Sequence, residues 1–382
     1  MEQVKALFIQ SSNSGVAYWR LGNFVTAATR VKAGHFFQPW ADKSLNEIHP
    51  WQIDLLDPIF KRRILDELWD HAKKADVVIF QILHTPAAVN LFKAMKQALP
   101  DTPVLTECDD QILSTPTYNP ADSCYKPGSP LRDIAIDQMR HSDAMIVSTP
   151  YLKEVYSEFC DDIHVVPNCL DFRRWDNLKH PKRKDFIRIG WAGGYSHEED
   201  LRIIEPVVRA ILAQHPTARF CFVHGIPKFL QGIDRVEAVH AFTRIDRYPQ
   251  FLASRGFDIG LAPLVDNAFN RGKSNLRWLE YAGLRVPCVA SEVGHFAQTI
   301  THPDDGLLCE TVPEWIDAIS WLIHDEAARR KIGKNANAKA KRLFNVDSVV
   351  HDYAAILLKI SKGGQVVKIP DDEDPVLKEA TA

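Results

Sequence analysis

Residues 189–201, IGWAGGYSHEEDL, change character twice within a short span. An apolar run from Ile189 stops at Gly193 and Gly194. A polar run follows, in which Ser196 and Glu199 have the spacing of a helix capping box. A strand that passes through a glycine turn into a helix start is the repeating unit of an α/β protein. The glycines let the backbone turn sharply and approach a ligand closely. The amides of Gly194, Tyr195 and Ser196, with the positive end of a helix dipole, would suit a diphosphate. The same turn also serves ordinary strand-to-helix connections, so the glycines by themselves leave both readings open. Pro206 has no place in mid-helix, which predicts a break after the first turn. His197, in that first turn, is a candidate donor to a phosphate or a transferred group.

The unit recurs on both sides of this stretch. VKALFIQ, DVVIFQI, PVLTE, AMIVST and IHVVPN read as strands in the first half, and FIRIGWAG, RFCFVHG, VEAVHAF, DIGLAPL and VPCVAS in the second. Segments with helical spacing lie between them, among them Pro58 to Ala75, whose Ile64, Leu65, Leu68 and Ala72 form one stripe. The pattern predicts an α/β chain with two parallel-sheet domains, at 1–175 and 187–345, joined by a basic linker at 176–186. A helix at 346–362 follows, striped by Val346, Val349, Val350, Tyr353, Ala354 and Leu357. The acidic segment 363–382 reads as a mobile tail.

The chain has 382 residues, enough for two domains, with 46 Lys and Arg against 49 Asp and Glu and a net charge of -3. No global basic field points to a nucleic acid duplex or an anionic membrane. Seven cysteines without a CxxC pair fit neither a disulfide framework nor a zinc ribbon. They read as buried thiols of a cytoplasmic protein. No apolar run approaches the roughly 20 residues of a membrane span, and no signal peptide is apparent at the start of the sequence.

A second stretch, Asn270 to Ser291 (NRGKSNLRWLEYAGLRVPCVAS), concentrates charge at a predicted helix start. Ser274 is the expected N-cap, with Asn275 beside it. On a continuous helix, Lys273 and Glu280 would project from nearly one side, about 10 Å apart at ~1.5 Å per residue. That span matches a nucleotide: Glu280 accepting from ribose hydroxyls, and Lys273, backed by Arg271, neutralising a diphosphate. Lys273, Arg277 and Glu280 could equally form a surface ion-pair face.

FDIGLAPL, KSNLRWLEYAGLRVPCVAS and EVGH together resemble the nucleotide-sugar half of retaining GT-B glycosyltransferases, the glycogen-synthase-like group four, also called glycosyl transferases group 1. IVSTPYLKEVY, IHVVPNCLDFRRW and IRIGWAGG resemble the hinge between that group's two domains. The resemblance runs from Asp76 to about Leu358. It implies two Rossmann-like domains facing a central cleft, with the acceptor held mainly by the first, the nucleotide-sugar by the second, and the last helix crossing back to the first. It assigns Glu280 to the second glutamate of the group's E-x7-E motif. The first glutamate falls at Gly272, where this chain has no carboxylate. The group's basic pair on the diphosphate has no plain match, and Lys273 is the expected substitute, with Arg271 behind it and His197 as a secondary donor.

Ligands in open α/β sheets gather beyond the carboxyl ends of strands. There the first half offers Gly15, Tyr18, Trp19 and Arg20 in NSGVAYWRLGNF, Glu107, Asp109 and Asp110 in TECDDQI, and His84 in QILHT. Tyr18, Trp19 and Arg20 could stack on a sugar or base and pair with an acidic group. The carboxylates could take a proton from an acceptor hydroxyl, hold a cation or cap the next segment. Gly15, Tyr18, Trp19, Arg20, Glu107 and His84 are thus the candidate acceptor contacts, and Lys273, Asp109, Asp110 and His197 the candidate catalytic groups. Gly193, Gly194, Tyr195, Ser196, Arg271, Ser274, Asn275 and Glu280 are the candidate donor contacts.

The expected reaction moves a sugar from a UDP- or GDP-type nucleoside-diphosphate sugar to a hydroxyl with retention, without a metal or a tightly bound cofactor. The expected acceptor is a glycan, a lipid-linked sugar or another cell-surface precursor, with peripheral membrane contact allowed. A protein, or a hydroxylated base of DNA reached by base flipping, is the alternative acceptor. A non-catalytic nucleotide- or sugar-binding scaffold is the alternative from another class. An NAD-dependent oxidoreductase is disfavoured, because GWAGGYS is not G-x-G-x-x-G.

Overall fold

The computed structural model describes residues 3–10, 15–38, 58–82, 86–119, 121–181, 185–194, 197–239 and 245–363. They form two compact units. The first takes the described residues up to Thr115, Ala121–Cys169 and those from Val346 onward; the second takes those of Pro116–Pro120 and Leu170–Asn345.

The first unit is built on six parallel strands: β1 (Lys5–Ile9), β2 (His35–Phe37), β3 (Val77–Gln81), β4 (Val104–Cys108), β5 (Met145–Val147) and β6 (Ile163–Val165), in the order β2-β1-β3-β4-β5-β6. The central strands β3 and β4 are buried along their whole length, as near-continuous apolar runs in a sheet covered on both faces should be. One face packs Phe8 and Ile79 against Phe24, Ala27 and Ala28 of helix Asn23–Val31, and against Tyr353 and Leu357 of helix Val346–Ser361. The Tyr353 ring meets Phe24 edge-on at 5.2 Å and Phe8 at 5.9 Å. The other face packs Leu7, Val78 and Phe80 on Leu68, Ala72, Phe92 and Met95 of helices Pro58–Ala72 and Pro86–Ala98.

The second unit repeats the plan with β7 (Ile187–Ala192), β8 (Ala218–Val223), β9 (Val236–Val239), β10 (Ile259–Ala262), β11 (Cys288–Ser291) and β12 (Leu307–Cys309), ordered β12-β11-β10-β7-β8-β9 and all parallel. Its core joins Ile189, Phe220 and Leu261 of the sheet to Val207, Val208 and Ile211 of helix Glu205–Gln214, and to Trp315 and Ile319 of helix Val312–His324.

Each sheet has one strand more than the sequence patterns predict. The additions, β2 and β12, are three-residue edge strands, too short for periodicity to register. The first unit ends at Cys169, ahead of the boundary expected at 175, because the segment that follows bonds within the second unit. There Arg174 donates to the Ile245 carbonyl, Asp176 pairs with Lys341, and the Lys179 backbone exchanges two hydrogen bonds with the Gln250 amide. Six of the seven free cysteines are buried as expected, and Cys124 is partly exposed. The predicted tail beyond Gly363 lies outside the described residues. Among the described residues, no helix is long and apolar enough to cross a membrane and no cluster of His, Cys, Asp and Glu could hold a metal.

Candidate functional site

Strand order selects where a ligand belongs in the second unit. From β7 the chain steps outward one way through β8 and β9, then returns to the other side of β7 and steps outward through β10, β11 and β12. Order therefore reverses between β7 and β10, and the crevice beyond their carboxyl ends is the place where such sheets bind ligands. Two loops border it, one after Ala192 and one after Ala262.

The first loop starts at Gly193, where a β-carbon would come within 2.3 Å of the Trp191 ring, so only glycine lets the chain turn there. Gly193 is buried and Gly194 exposed; Tyr195 and Ser196 lie outside the described residues. The helix that follows, Glu198–Arg202, has His197 at its N-cap position, and Glu199 pairs with Arg202. It breaks before a second helix, Glu205–Gln214, whose first turn contains Pro206. The dipole of this helix is a weak support for a diphosphate site. Five residues carry little dipole, and the first turn is filled by Glu198, Glu199 and Asp200.

What joins the two loops is Asp200, 1% exposed. Its Oδ2 accepts from His197 Nδ1 at 2.8 Å. Its Oδ1 accepts from the Val265 backbone amide at 2.9 Å and from Asn270 Nδ2 at 2.7 Å, both on the loop after β10. Asn270 Nδ2 also donates to the Val265 carbonyl, and Asn267 Oδ1 accepts from the Asn270 amide. Asn267 Nδ2 donates to Tyr118 Oη at 3.0 Å. Burial, reinforced by Asp200, pushes the Tyr118 hydroxyl above the usual range.

Lys273 and Glu280 do not share a helix. A short helix, Ala268–Arg271, is capped by Gly272, and the next begins only at Leu276. The break removes the helical register that would have aligned the two. Lys273 is half-buried, with Nζ 4.4 Å from the Phe269 ring centroid, where a cation keeps its charge while losing some water. Arg271 is exposed and forms a two-pronged pair with Asp266 at 2.6 and 2.9 Å, which holds the Asp266 carboxyl below its usual range. Asn275, not Ser274, occupies the N-cap position of Leu276–Gly283; it is fully buried, with Nδ2 donating to Thr299 Oγ1.

Glu280 is buried and pairs with Arg277, with the Tyr248 hydroxyl bonded to both. Burial pushes its carboxyl upward, opposed by Arg277 and Tyr248. Burial works against the Arg277 charge too, but Glu280 and Tyr248 hold the guanidinium above its ordinary value. Of the two readings of Lys273, Arg277 and Glu280, the ion pair is thus present between the last two, with Glu280 buried and Arg277 half-buried.

In the first unit, Arg20 and Glu107 require a correction. Both side chains are 1% exposed, and Arg20 Nε donates to Glu107 Oε1 at 2.6 Å. Arg20 also donates to the Val166 carbonyl and to Asn168 Oδ1, and Gln81 Nε2 donates to Glu107 Oε2. Both charges are buried and paired with one another rather than held at the surface. Trp19 is buried beside a half-buried Tyr18, their rings edge to face at 5.2 Å. Gly15 opens the short helix Gly15–Ala17, and His84 lies outside the described residues. Asp109 and Asp110 are half-buried beyond β4, their carbonyls accepting from Ser148 Oγ at 3.0 Å and Tyr156 Oη at 2.6 Å.

Residues 187–325, which include the β7–β10 crevice, match the family described as Glycosyl transferases group 1. Over those residues the chain is similar to a group 1 glycosyl transferase domain. Its sequence is 24% identical over 228 residues to N-acetyl-alpha-D-glucosaminyl L-malate synthase of Bacillus anthracis, a match spanning 54% of this chain and 56% of that relative, little more than half its length. The fold is GT-B, shared with two solved structures. HepE of Anabaena in complex with UDP-glucose has a TM-score of 0.63 at 14% identity, covering 94% of this chain and all of that one. Sucrose-phosphate synthase of Thermosynechococcus elongatus has a TM-score of 0.61 at 15% identity, with the same coverage.

Within residues 187–325, three residues of the crevice network escaped the sequence reading. Asp200 was legible in principle, three residues after His197 and so on the same helical face. Asn270 and Tyr248 carry no sequence signal, since only the fold brings them to Asp200 and Glu280.

Proposed function

We propose that this chain is a glycosyltransferase that moves a sugar from a UDP-sugar to an acceptor hydroxyl, with retention at the anomeric carbon. The observation that carries the reading is the β7–β10 crevice, where Asp200 ties His197 to Val265 and Asn270 of the segment after β10, within the stretch that matches the group 1 family. The UDP-glucose held by HepE, whose fold is the same, supports a UDP-type donor.

In this reading the bond from the sugar's anomeric carbon to the diphosphate breaks and a bond to the acceptor oxygen forms. The acceptor's proton passes to the departing phosphate oxygen, so no carboxylate nucleophile is required. Negative charge grows on the diphosphate, and fixed donors there give the main electrostatic help. Lys273 supplies a positive group, His197 a polar contact, and the backbone at Gly193 and Gly194 close approach. Glu280 is the ribose partner, held in place by Arg277 and Tyr248. Asp109 and Asp110 are the acceptor-side carboxylates, and the acceptor is a glycan or lipid-linked sugar.

Calorimetric titration with UDP and GDP, followed by mass spectrometry of products from UDP-glucose and UDP-N-acetylglucosamine with mixed acceptors, tests this. Binding of UDP and transfer of its sugar are expected; failure to bind either nucleotide overturns the reading. One observation favours a second reading, a nucleotide-binding scaffold: Gly272, a helix cap, stands where the group's motif has a glutamate. Tight UDP binding with no turnover on any acceptor would select it.

A further inference from the structure

We propose that Asp200 is the positioning residue of the donor site: it fixes the tautomer of His197 and clamps the loop after β10 to the loop after β7. In what His197 serves, this rests on the proposed function above; in its geometry it does not.

The carboxylate is buried and accepts three hydrogen bonds, one from His197 Nδ1 and two from the Val265–Asn270 loop. A carboxylate oxygen facing Nδ1 can only accept, so Nδ1 carries the proton. That leaves Nε2 as the nitrogen available to a ligand, and it makes no hydrogen bond among the described residues. Trp191 flanks the ring edge-on at 6.0 Å. The imidazole is therefore set from two sides, by Asp200 and by the indole.

In that tautomer Nε2 is an acceptor, suited to a hydroxyl of the ribose or the sugar. Because the other oxygen holds the Val265 amide and Asn270, the same residue sets the path of the segment leading to Lys273. The His197 acceptor and the segment carrying Lys273 thus depend on one buried carboxylate, although Asp200 itself touches no substrate.

Asp200→Asn gives a directed test. Two donors, the Val265 amide and Asn270 Nδ2, hold the variant's carbonyl oxygen, which turns its NH2 group toward His197. Nδ1 must then accept, and the proton moves to Nε2. Long-range proton–nitrogen NMR of the labelled full chain, with the His197 signals assigned by their loss in His197→Gln, reads this directly. A ring protonated at Nδ1 in the unmodified chain at neutral pH, and at Nε2 in Asp200→Asn, is expected. A proton on Nε2 in the unmodified chain, or an unchanged ring in Asp200→Asn, overturns the proposal. Should Asp200→Asn not fold, the tautomer of the unmodified chain alone decides.

UDP affinity supplies the second arm. His197→Gln and Asp200→Asn should each weaken UDP by up to about tenfold, the effect of losing the hydrogen bond that an unprotonated Nε2 accepts from a hydroxyl. The double variant should be no weaker than the worse single one. Independent, additive losses would mean that Asp200 does not act through His197. If the unmodified chain binds no UDP, the proposed function fails, while the tautomer measurement still decides the role of Asp200.

Discussion

Arg20 Nε donates to Glu107 Oε1 across 2.6 Å, and the two residues are separated by 87 positions in the sequence. Removing either partner strands a buried charge, which costs about 3–5 kcal/mol. Arg20→Met and Glu107→Gln should each lower the urea-unfolding free energy by about that amount, and the double variant Arg20→Met, Glu107→Leu should lose less than the sum. Losses below about 1 kcal/mol would mean that the charges are solvated.

Gly294 has φ +54, and a β-carbon there would lie 2.7 Å from the Arg271 carbonyl oxygen. Gly294→Ala therefore strains its own backbone by roughly 1–2 kcal/mol and pushes on the segment that leads to Lys273. Thermal unfolding should show a lower Tm, and calorimetry a weaker UDP complex. Unchanged affinity would uncouple this segment from the donor.

Lys273 and Arg271 are two residues apart but differ in what they can offer. Arg271 is tied to Asp266 in solvent, whereas Lys273 is half-buried over an aromatic ring. Lys273→Met should weaken UDP by roughly tenfold or more, the scale of a charge-assisted contact, with a loss that shrinks as salt rises. Arg271→Met should change affinity by less than about threefold. The reverse order, read by calorimetry at two salt concentrations, would exchange their roles.

Acidification should weaken the fold through His215, which is buried, and His180, which is exposed. Burial, then His324, holds His215 below the ordinary histidine value, and burial, then Arg285, does the same for His180. A folded value below the unfolded one, about 6.5, means that the unfolded chain takes up protons first. This contribution to stability is complete above about pH 6.5 and falls as pH drops through that value toward the folded one. Tm should decline between pH 7.5 and 5.5. His215→Gln, which can keep the bond to Ser320 Oγ, should decline less steeply; equal slopes would remove His215 from the account.

The α/β alternation was legible because each central strand is an apolar run long enough to fill a buried sheet. The break before Pro206 was legible for a covalent reason, the missing amide. Lys273 and Glu280 were misaligned because the reading carried helical spacing back to Lys273, whereas the helix begins only at Leu276. Arg20 and Glu107 looked like surface recognition groups, since nothing local in either stretch reveals that Val166, Asn168 and Gln81 will surround them. Local chemistry marks the turns and caps, whereas partnerships between distant segments exist only once the sheet order is set.

The helix Val346–Ser361 has a consequence for synthesis. Its Tyr353 seats among Phe8, Phe24 and Phe36, so the first unit's core stays open on one face until residues made after the whole second unit have left the ribosome. The second unit's six strands and their covering helices are complete before that helix emerges. The order of folding should therefore run opposite to the order of the sequence, and the earliest-made aromatic cluster is the one that waits longest for its cover.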